Sequence, residues 1–287
     1  MKYTLYTAAK INLGLEIISK RKDNYHNLDM IMQSVSLFDK MTVETTSDKC
    51  INVSHLKPIN CNLSEDIVYK CARIFFEDLG IQSFGINVTL NKTIPICAGL
   101  GGGSSNGAGI LVALNHLHDN YFSIDELKQI GAKIGADIPF CISGGTARAS
   151  GTGTILKSIP TFSKYWIVLV KPNLVVSTKE AYNLIDNAVK KDVKNFDNLE
   201  QSIIENNLQK LSANMFNRFE CITHQIDTLK KDLIDLGAMN SIMSGSGPTV
   251  YGIFESKSKA SYCFESLKNK YPNTFLCNPI DYGIKLT

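Results

Sequence analysis

The sequence lacks long hydrophobic runs, paired cysteine motifs and an excess of charge of either sign, and each absence removes a class of protein. An apolar stretch such as Trp166–Val170 is far too short to cross a bilayer. Met1 to Leu15 already alternates like a strand, so no leader peptide is expected. With 30 basic against 27 acidic residues the net charge is only +3, and no basic run stands out. Nucleic acid and anionic membrane surfaces are therefore not expected partners, and small molecules are. Eight cysteines are scattered at positions 50, 61, 71, 97, 141, 221, 263 and 277, never in C-x-x-C spacing. That excludes a disulfide framework or a zinc site, and contexts such as those of Cys71 and Cys141 suggest reduced core residues in a cytoplasmic protein. His116 and His118 are two apart on a helical segment and face different ways, so no metal pair is expected there.

A chain of 287 residues can hold two domains, and a boundary near Ser158 is expected. Ile11, Leu13, Leu15 and Ile17 alternate with Lys10, Asn12, Gly14 and Glu16 in the period of a half-buried strand. A polar turn from Ser19 to Asn27 leads to a second strand-like run, Met30 to Leu37. A helical stripe from Ile67 to Leu79 ends at Gly80, and a strand follows from Ile86 to Leu90. Capping boxes at Ser123-Ile-Asp-Glu126 and Ser177-Thr-Lys-Glu180 start further helices, and another is expected over Ile222 to Leu236. Strands mixed with helices suggest an α+β chain.

Between the strand and the next apolar helix lies Pro95-Ile96-Cys97-Ala98-Gly99-Leu100-Gly101-Gly102-Gly103-Ser104-Ser105-Asn106. Glycine lets backbone N–H groups approach an anion closely, and the start of the following helix favours negative charge, so this is a phosphate cradle. It is not a P-loop, because Ser104 rather than Lys follows the last glycine. Nor is it a dinucleotide G-x-G-x-x-G, since Ser104 or Asn106 falls where the last glycine belongs. A phosphate loop without its own lysine needs cationic help, and Lys10, Lys92 and a bound magnesium ion are the candidates. Lys10 shares a strand face with Asn12 and either meets solvent or lines a site. Asp137, in Gly135-Ala-Asp-Ile-Pro-Phe140, is either a turn former or a general base. A meeting of Lys10 and Asp137 would favour the base, since the ammonium would hold the carboxylate ionised. Tyr25 and His26 put an aromatic face and an imidazole in one polar turn, which suits a nucleobase or is ordinary turn chemistry. A second small-residue loop, Met243-Ser-Gly-Ser-Gly-Pro248, follows late in the chain.

These segments together resemble the GHMP kinase superfamily, which has an N-terminal strand lysine, a central Pro-x-x-x-Gly-Leu-Gly-Gly-Gly-Ser-Ser loop and a C-terminal Gly-Ser-Gly loop, here in that order. Ala9-Lys-Ile-Asn-Leu13, the Asp23 to His26 turn, the glycine loop and Gly135 to Phe140 are similar to the branch whose acceptor is a cytidine-diphosphate methylerythritol. The resemblance implies a two-domain α+β GHMP kinase fold, with a ribosomal protein S5 domain 2-like N-terminal domain (1–158) and a ferredoxin-like C-terminal domain (159–287). It implies ATP and Mg2+ as cofactors, and phosphorylation of the acceptor's 2-hydroxyl in the non-mevalonate isoprenoid route. It assigns Lys10 and Asp137 as the catalytic pair, Pro95 to Ser105 with Lys92 and Asn106 to ATP, and Asn12, Tyr25, His26, Thr178 and Tyr182 to the acceptor. Tyr25 and Tyr182 are expected to sandwich the cytosine, with His26 at its Watson–Crick edge and the Ser244 to Gly247 loop closing over the acceptor. No protein side chain is expected to ligate metal. Asn24 replaces a common glycine and tolerates the same left-handed backbone, and Asp66 replaces an asparagine near the adenine. The alternatives are another GHMP small-molecule kinase, for a sugar, homoserine or a mevalonate derivative, and a nucleotide-binding regulator that has lost catalysis.

Overall fold

A computed structural model of the chain describes residues 1–59, 61–81, 85–188 and 193–287. Its frame is a long antiparallel pair, β1 (Lys2–Lys20) and β2 (His26–Thr46), with Lys2 opposite Glu44 and Lys20 opposite His26. The expected single apolar stripe on β1 is not what forms. Register shifts between Ala8 and Ala9 and between Asn12 and Gly14 exchange the faces, as bulges do in a period-two element. Leu5 and Leu15 therefore enter one core while Ile11 and Leu13 enter another. Both faces are covered, and Lys10, Asn12 and Glu16 are buried rather than solvated.

β3 (Ile51–His55) runs parallel to β4 (Gly85–Asn91), which pairs with β2, giving the order β12-β1-β2-β4-β3 once the C-terminal strand is counted. Between them lies α1 (Ile67–Leu79), capped by the Asp66 carboxylate and ended by Gly80 at φ 76°. After the glycine loop, α2 (Gly102–Leu117) packs on α1 and β1, and α3 (Ile124–Ala132) carries the full capping box at Ser123. A short helix that periodicity does not reveal, α4 (Ile138–Ser143), starts at Asp137 with proline in its first turn. The hairpin β5 (Thr146–Gly151) and β6 (Ile155–Ile159) pairs with the first part of β2, on the same edge as β4 and facing away from β1.

The chain then leaves this sheet. β7 (Trp166–Val170) is followed by α5 (Thr178–Asn187), α6 (Asp197–Ile204), α7 (Leu208–Asn214) and a two-residue strand, β8 (Phe216–Asn217), parallel to β1. Two 3-10 turns occupy the start of the segment expected as one helix, and α8 spans only Asp227–Asp235. β9 (Asn240–Met243), β10 (Val250–Phe254), α9 (Lys257–Leu267) and β11 (Thr274–Cys277) complete an antiparallel sheet of order β11-β7-β10-β9, the ferredoxin-like arrangement of β-α-β-β-α-β. The last strand, β12 (Ile284–Leu286), returns to β1. Among the described residues no helix is long and apolar enough to cross a membrane.

The eight cysteines are free, but only four are core residues: Cys71, Cys141, Cys263 and Cys277 are buried, whereas Cys50, Cys61, Cys97 and Cys221 are exposed. Burial pushes the Cys71 thiol up to about 12, which leaves it protonated and inert.

Candidate active site

Two clefts meet at the glycine loop. One, of about 540 Å³, is lined by Pro95 to Ser104 and by Asn106, Lys92, His55 and Asp66. The other, of about 750 Å³, is lined by Lys10, Asp137, Tyr25, His26, Tyr182, Asp186 and the Gly245-Ser246 tip. Gly99, Gly101, Ser104 and Thr178 belong to both.

The loop's shape follows from its neighbours. Gly101 caps α2 at φ 67°, and a Cβ there would lie 2.9 Å from Lys10 Cγ, so glycine lets the lysine stem lie against the loop. Gly99, at φ 73°, would put a Cβ 2.1 Å from the Ser244 carbonyl oxygen. The two small-residue loops thus touch, with the Ser244 hydroxyl donating to the Gly99 carbonyl at 2.9 Å. The first intrahelical donor of α2 is Ser105 N–H, on the Gly101 carbonyl at 2.8 Å, so the N–H groups of Gly102, Gly103 and Ser104 before it are free to meet an anion. Ser105 differs from Ser104, because its hydroxyl is spent inside the protein on the Ala8 carbonyl at 2.6 Å. Cys97 sits exposed on this loop at φ 51°, not buried.

Lys10 and Asp137, far apart in sequence, come together. Lys10 Nζ lies 3.4 Å from Asp137 Oδ2 and donates to Asn12 Oδ1 at 2.9 Å. Asp137 makes no side-chain capping bond to α4, so the turn-former reading does not consume its carboxylate. The lysine side chain is 7% exposed and the aspartate 31%, so a nearly buried ammonium faces a carboxylate that still reaches the cleft. Asn12 is fixed in turn, its carbonyl accepting from Tyr251 Oη at 2.7 Å.

Lys92 and Asn106 are not left as loose phosphate donors. Both bond the fully buried carboxylate of Asp39, Asn106 at 3.0 Å, and Lys92 also donates to Asn106 Oδ1 at 2.7 Å. The other Asp39 oxygen accepts from the N–H groups of Thr93 and Ile94 at 2.7 and 2.8 Å. Asp39 therefore anchors the chain entering the glycine loop. Sequence reasoning missed it, although it stands in the apolar register Leu37, Asp39, Met41, Val43 of β2, where an acid is out of place.

On the far side of the larger cleft, His26 stacks on Tyr182 with ring centroids 4.6 Å apart and planes 18° apart. Phe219 meets Tyr182 edge-on at 5.0 Å, and burial, with the nearby Asp137 charge, pushes the Tyr182 hydroxyl up to about 12. Tyr25 is 66% exposed on the rim, carried by Asn24 at φ 66°. The ring lying on Tyr182 is thus His26 rather than Tyr25. Thr178 shares a hydroxyl bond of 2.9 Å with Ser246. Asn217 donates to the carbonyls of Met243 and Gly245 and so pins the second loop.

In the smaller cleft Asp66 is fully engaged. It accepts from Val68 N at 2.7 Å and Tyr69 N at 3.4 Å, and pairs with His55 Nε2 at 2.7 Å. Among the described residues no cluster of three or more His, Cys, Asp or Glu side chains is set to hold a metal ion.

A glycine-loop anion site, a Lys–Asp pair and a ferredoxin-like second unit define a small-molecule kinase. The sequence profiles of the GHMP kinases N terminal domain and the GHMP kinases C terminal match residues 66–145 and 184–273. The chain is 41% identical over 276 residues to a 4-diphosphocytidyl-2-C-methyl-D-erythritol kinase of Clostridium perfringens, covering 94% of each, and 38% identical to one of Alkaliphilus metalliredigens, covering 95% and 94%. Among solved structures, a 4-(cytidine 5'-diphospho)-2C-methyl-D-erythritol kinase superposes with a TM-score of 0.79 at 27% identity, over 97% of this chain and 99% of that one. A homoserine kinase from Cytophaga hutchinsonii gives the same TM-score at 17% identity, over 100% and 97%, and shares the fold. The chain belongs to the GHMP kinase family, on the branch of the 4-diphosphocytidyl-2-C-methyl-D-erythritol kinases.

Proposed function

We propose that this chain transfers the γ-phosphoryl group of ATP to the 2-hydroxyl of 4-diphosphocytidyl-2-C-methyl-D-erythritol, with Asp137 as general base. The observation that carries this reading is the Lys10–Asp137 pair at the junction of the two clefts. ATP occupies the smaller cleft with its phosphates on the N–H groups of Gly102, Gly103 and Ser104. The acceptor lies in the larger cleft, its cytosine among Tyr25, His26 and Tyr182. Its 2-hydroxyl reaches Asp137, which accepts the proton as the oxygen attacks the γ-phosphorus and the bond to the bridging oxygen breaks, releasing ADP. Lys10 faces that carboxylate at 3.4 Å and offers positive charge to the phosphoryl oxygens in transit. Magnesium bound with the nucleotide would supply further charge neutralisation. Asn12 and the pinned 244–247 loop hold the two substrates in line, and phosphoryl transfer depends chiefly on such positioning.

Asp137→Asn keeps the shape and removes the base. Turnover should fall by about 10² or more, while ATP affinity stays near wild type, as read by steady-state ADP release and by nucleotide titration. Undiminished turnover would remove Asp137 from the role of base.

A further inference from the structure

Asp186 takes part in none of these steps, yet its carboxylate joins three elements at the larger cleft. It lies one turn beyond Tyr182 on α5, on the same face. Its Oδ1 is 2.8 Å from His26 Nε2, and its Oδ2 accepts from Lys20 Nζ at 2.6 Å. Lys20 ends β1 and His26 begins β2, so one carboxylate holds both ends of the turn that carries Asn24 and Tyr25. The stack on Tyr182 fixes the plane of the His26 ring but allows either of the two ring flips about the Cβ–Cγ bond, and the bond between Nε2 and Asp186 selects one of them.

The bond also fixes where the ring carries a proton. An ionised carboxylate only accepts, so Nε2 holds its hydrogen whether the ring is neutral or charged. Nδ1 is then the ring nitrogen that remains for a ligand, and in the neutral ring it is an acceptor. An acceptor suits the 4-amino group of cytosine and opposes the 4-oxygen of uracil, which also accepts.

We infer that Asp186 is a positioning residue of the acceptor-base pocket, holding His26 against Tyr182 in the orientation that prefers a cytidine-type over a uridine-type acceptor. The inference rests on the reading that this cleft takes the acceptor's pyrimidine. Lys20 has a separate part, tying the turn to α5 without touching the imidazole.

The test uses the full chain with Mg-ATP and, as acceptors, the cytidine-diphosphate compound and its uridine-diphosphate counterpart. Asp186→Asn should raise KM for the cytidine acceptor about tenfold, because an amide that can donate as well as accept no longer fixes the hydrogen on Nε2 and carries no charge to strengthen the bond. Its kcat and its KM for ATP should move by less than about threefold, since Lys10, Asp137 and the glycine loop are untouched. Its preference for cytidine over uridine in kcat/KM should narrow by a similar factor, and Asp186→Glu should recover part of it. Lys20→Met should raise KM for both acceptors alike and leave the preference intact. An unchanged preference in Asp186→Asn, or a loss of kcat and ATP affinity in parallel with the rise in KM, would overturn the inference while leaving the kinase reading standing. A wild-type protein that binds ATP but turns over neither compound would overturn that reading, and the inference with it.

Discussion

Asp39 shows how much one buried carboxylate can organise: it has no exposure, and it bonds Lys92, Asn106 and two backbone N–H groups at the entrance to the phosphate loop. Asp39→Ala should cost about 3–5 kcal/mol, because it strands a nearly buried ammonium and two backbone donors. Urea unfolding measures that loss, and a variant as stable as wild type would show that the cluster relaxes into water. Asp186 supports a pH prediction. Its hydrogen bonds from Lys20 and then His26 hold its carboxyl below the usual 3.8. A carboxylate depressed in the folded state stabilises it above its unfolded pKa, and that contribution disappears as pH falls through the lower folded value. The melting-temperature gap between wild type and Asp186→Asn should therefore be widest near neutrality and close only below about pH 4. A gap independent of pH would mean that packing, not charge, is what the substitution removes. Neither acid was legible as functional from sequence. Asp39 did break an apolar register, and Asp186 stands four residues after Tyr182, but the partners that give them meaning come from other strands.

At the scale of elements, the glycine loop separates two uses of the same residue. At Gly103 a Cβ would meet no protein atom closer than 3.9 Å, so the protein has room there for a side chain, which under the proposed function would crowd the nucleotide phosphates. Gly103→Val should keep the melting temperature yet raise KM for ATP about tenfold or more, ~1.4 kcal/mol of lost binding. Gly99→Ala, whose Cβ would fall 2.1 Å from the Ser244 carbonyl, should instead loosen both loops and lower the melting temperature. Equal thermal shifts in the two variants would contradict this division. The loop and its helix were readable because glycines, serines and an apolar stripe are local signals. β1 was readable as a strand but not in its burial: Gly14 packs under Leu199 and Phe196, residues on and beside α6 that no local pattern connects to it. α4 is six residues long, too short for a periodic signal, and β12 is recognisable only through its pairing with β1.

At the scale of the molecule, a first sheet carrying Lys10 and the glycine loop faces a ferredoxin-like unit that supplies Tyr182 on α5 and the 244–247 loop. The cleft is complete only where the two meet, at Ser244 on Gly99 and at Asp186 on Lys20 and His26. The order of the motifs announced this division, with the crossing between sheets lying between Ile159 and Trp166. The return of the C-terminus to β1 was not announced, since it depends on a three-residue strand. On the proposed reading this cleft serves one acceptor. The most direct test is ADP release by the purified wild-type chain with Mg-ATP, across 4-diphosphocytidyl-2-C-methyl-D-erythritol, homoserine, mevalonate and galactose. Turnover confined to the cytidine compound is the predicted result; turnover with any other member of the set and none with that compound would contradict it.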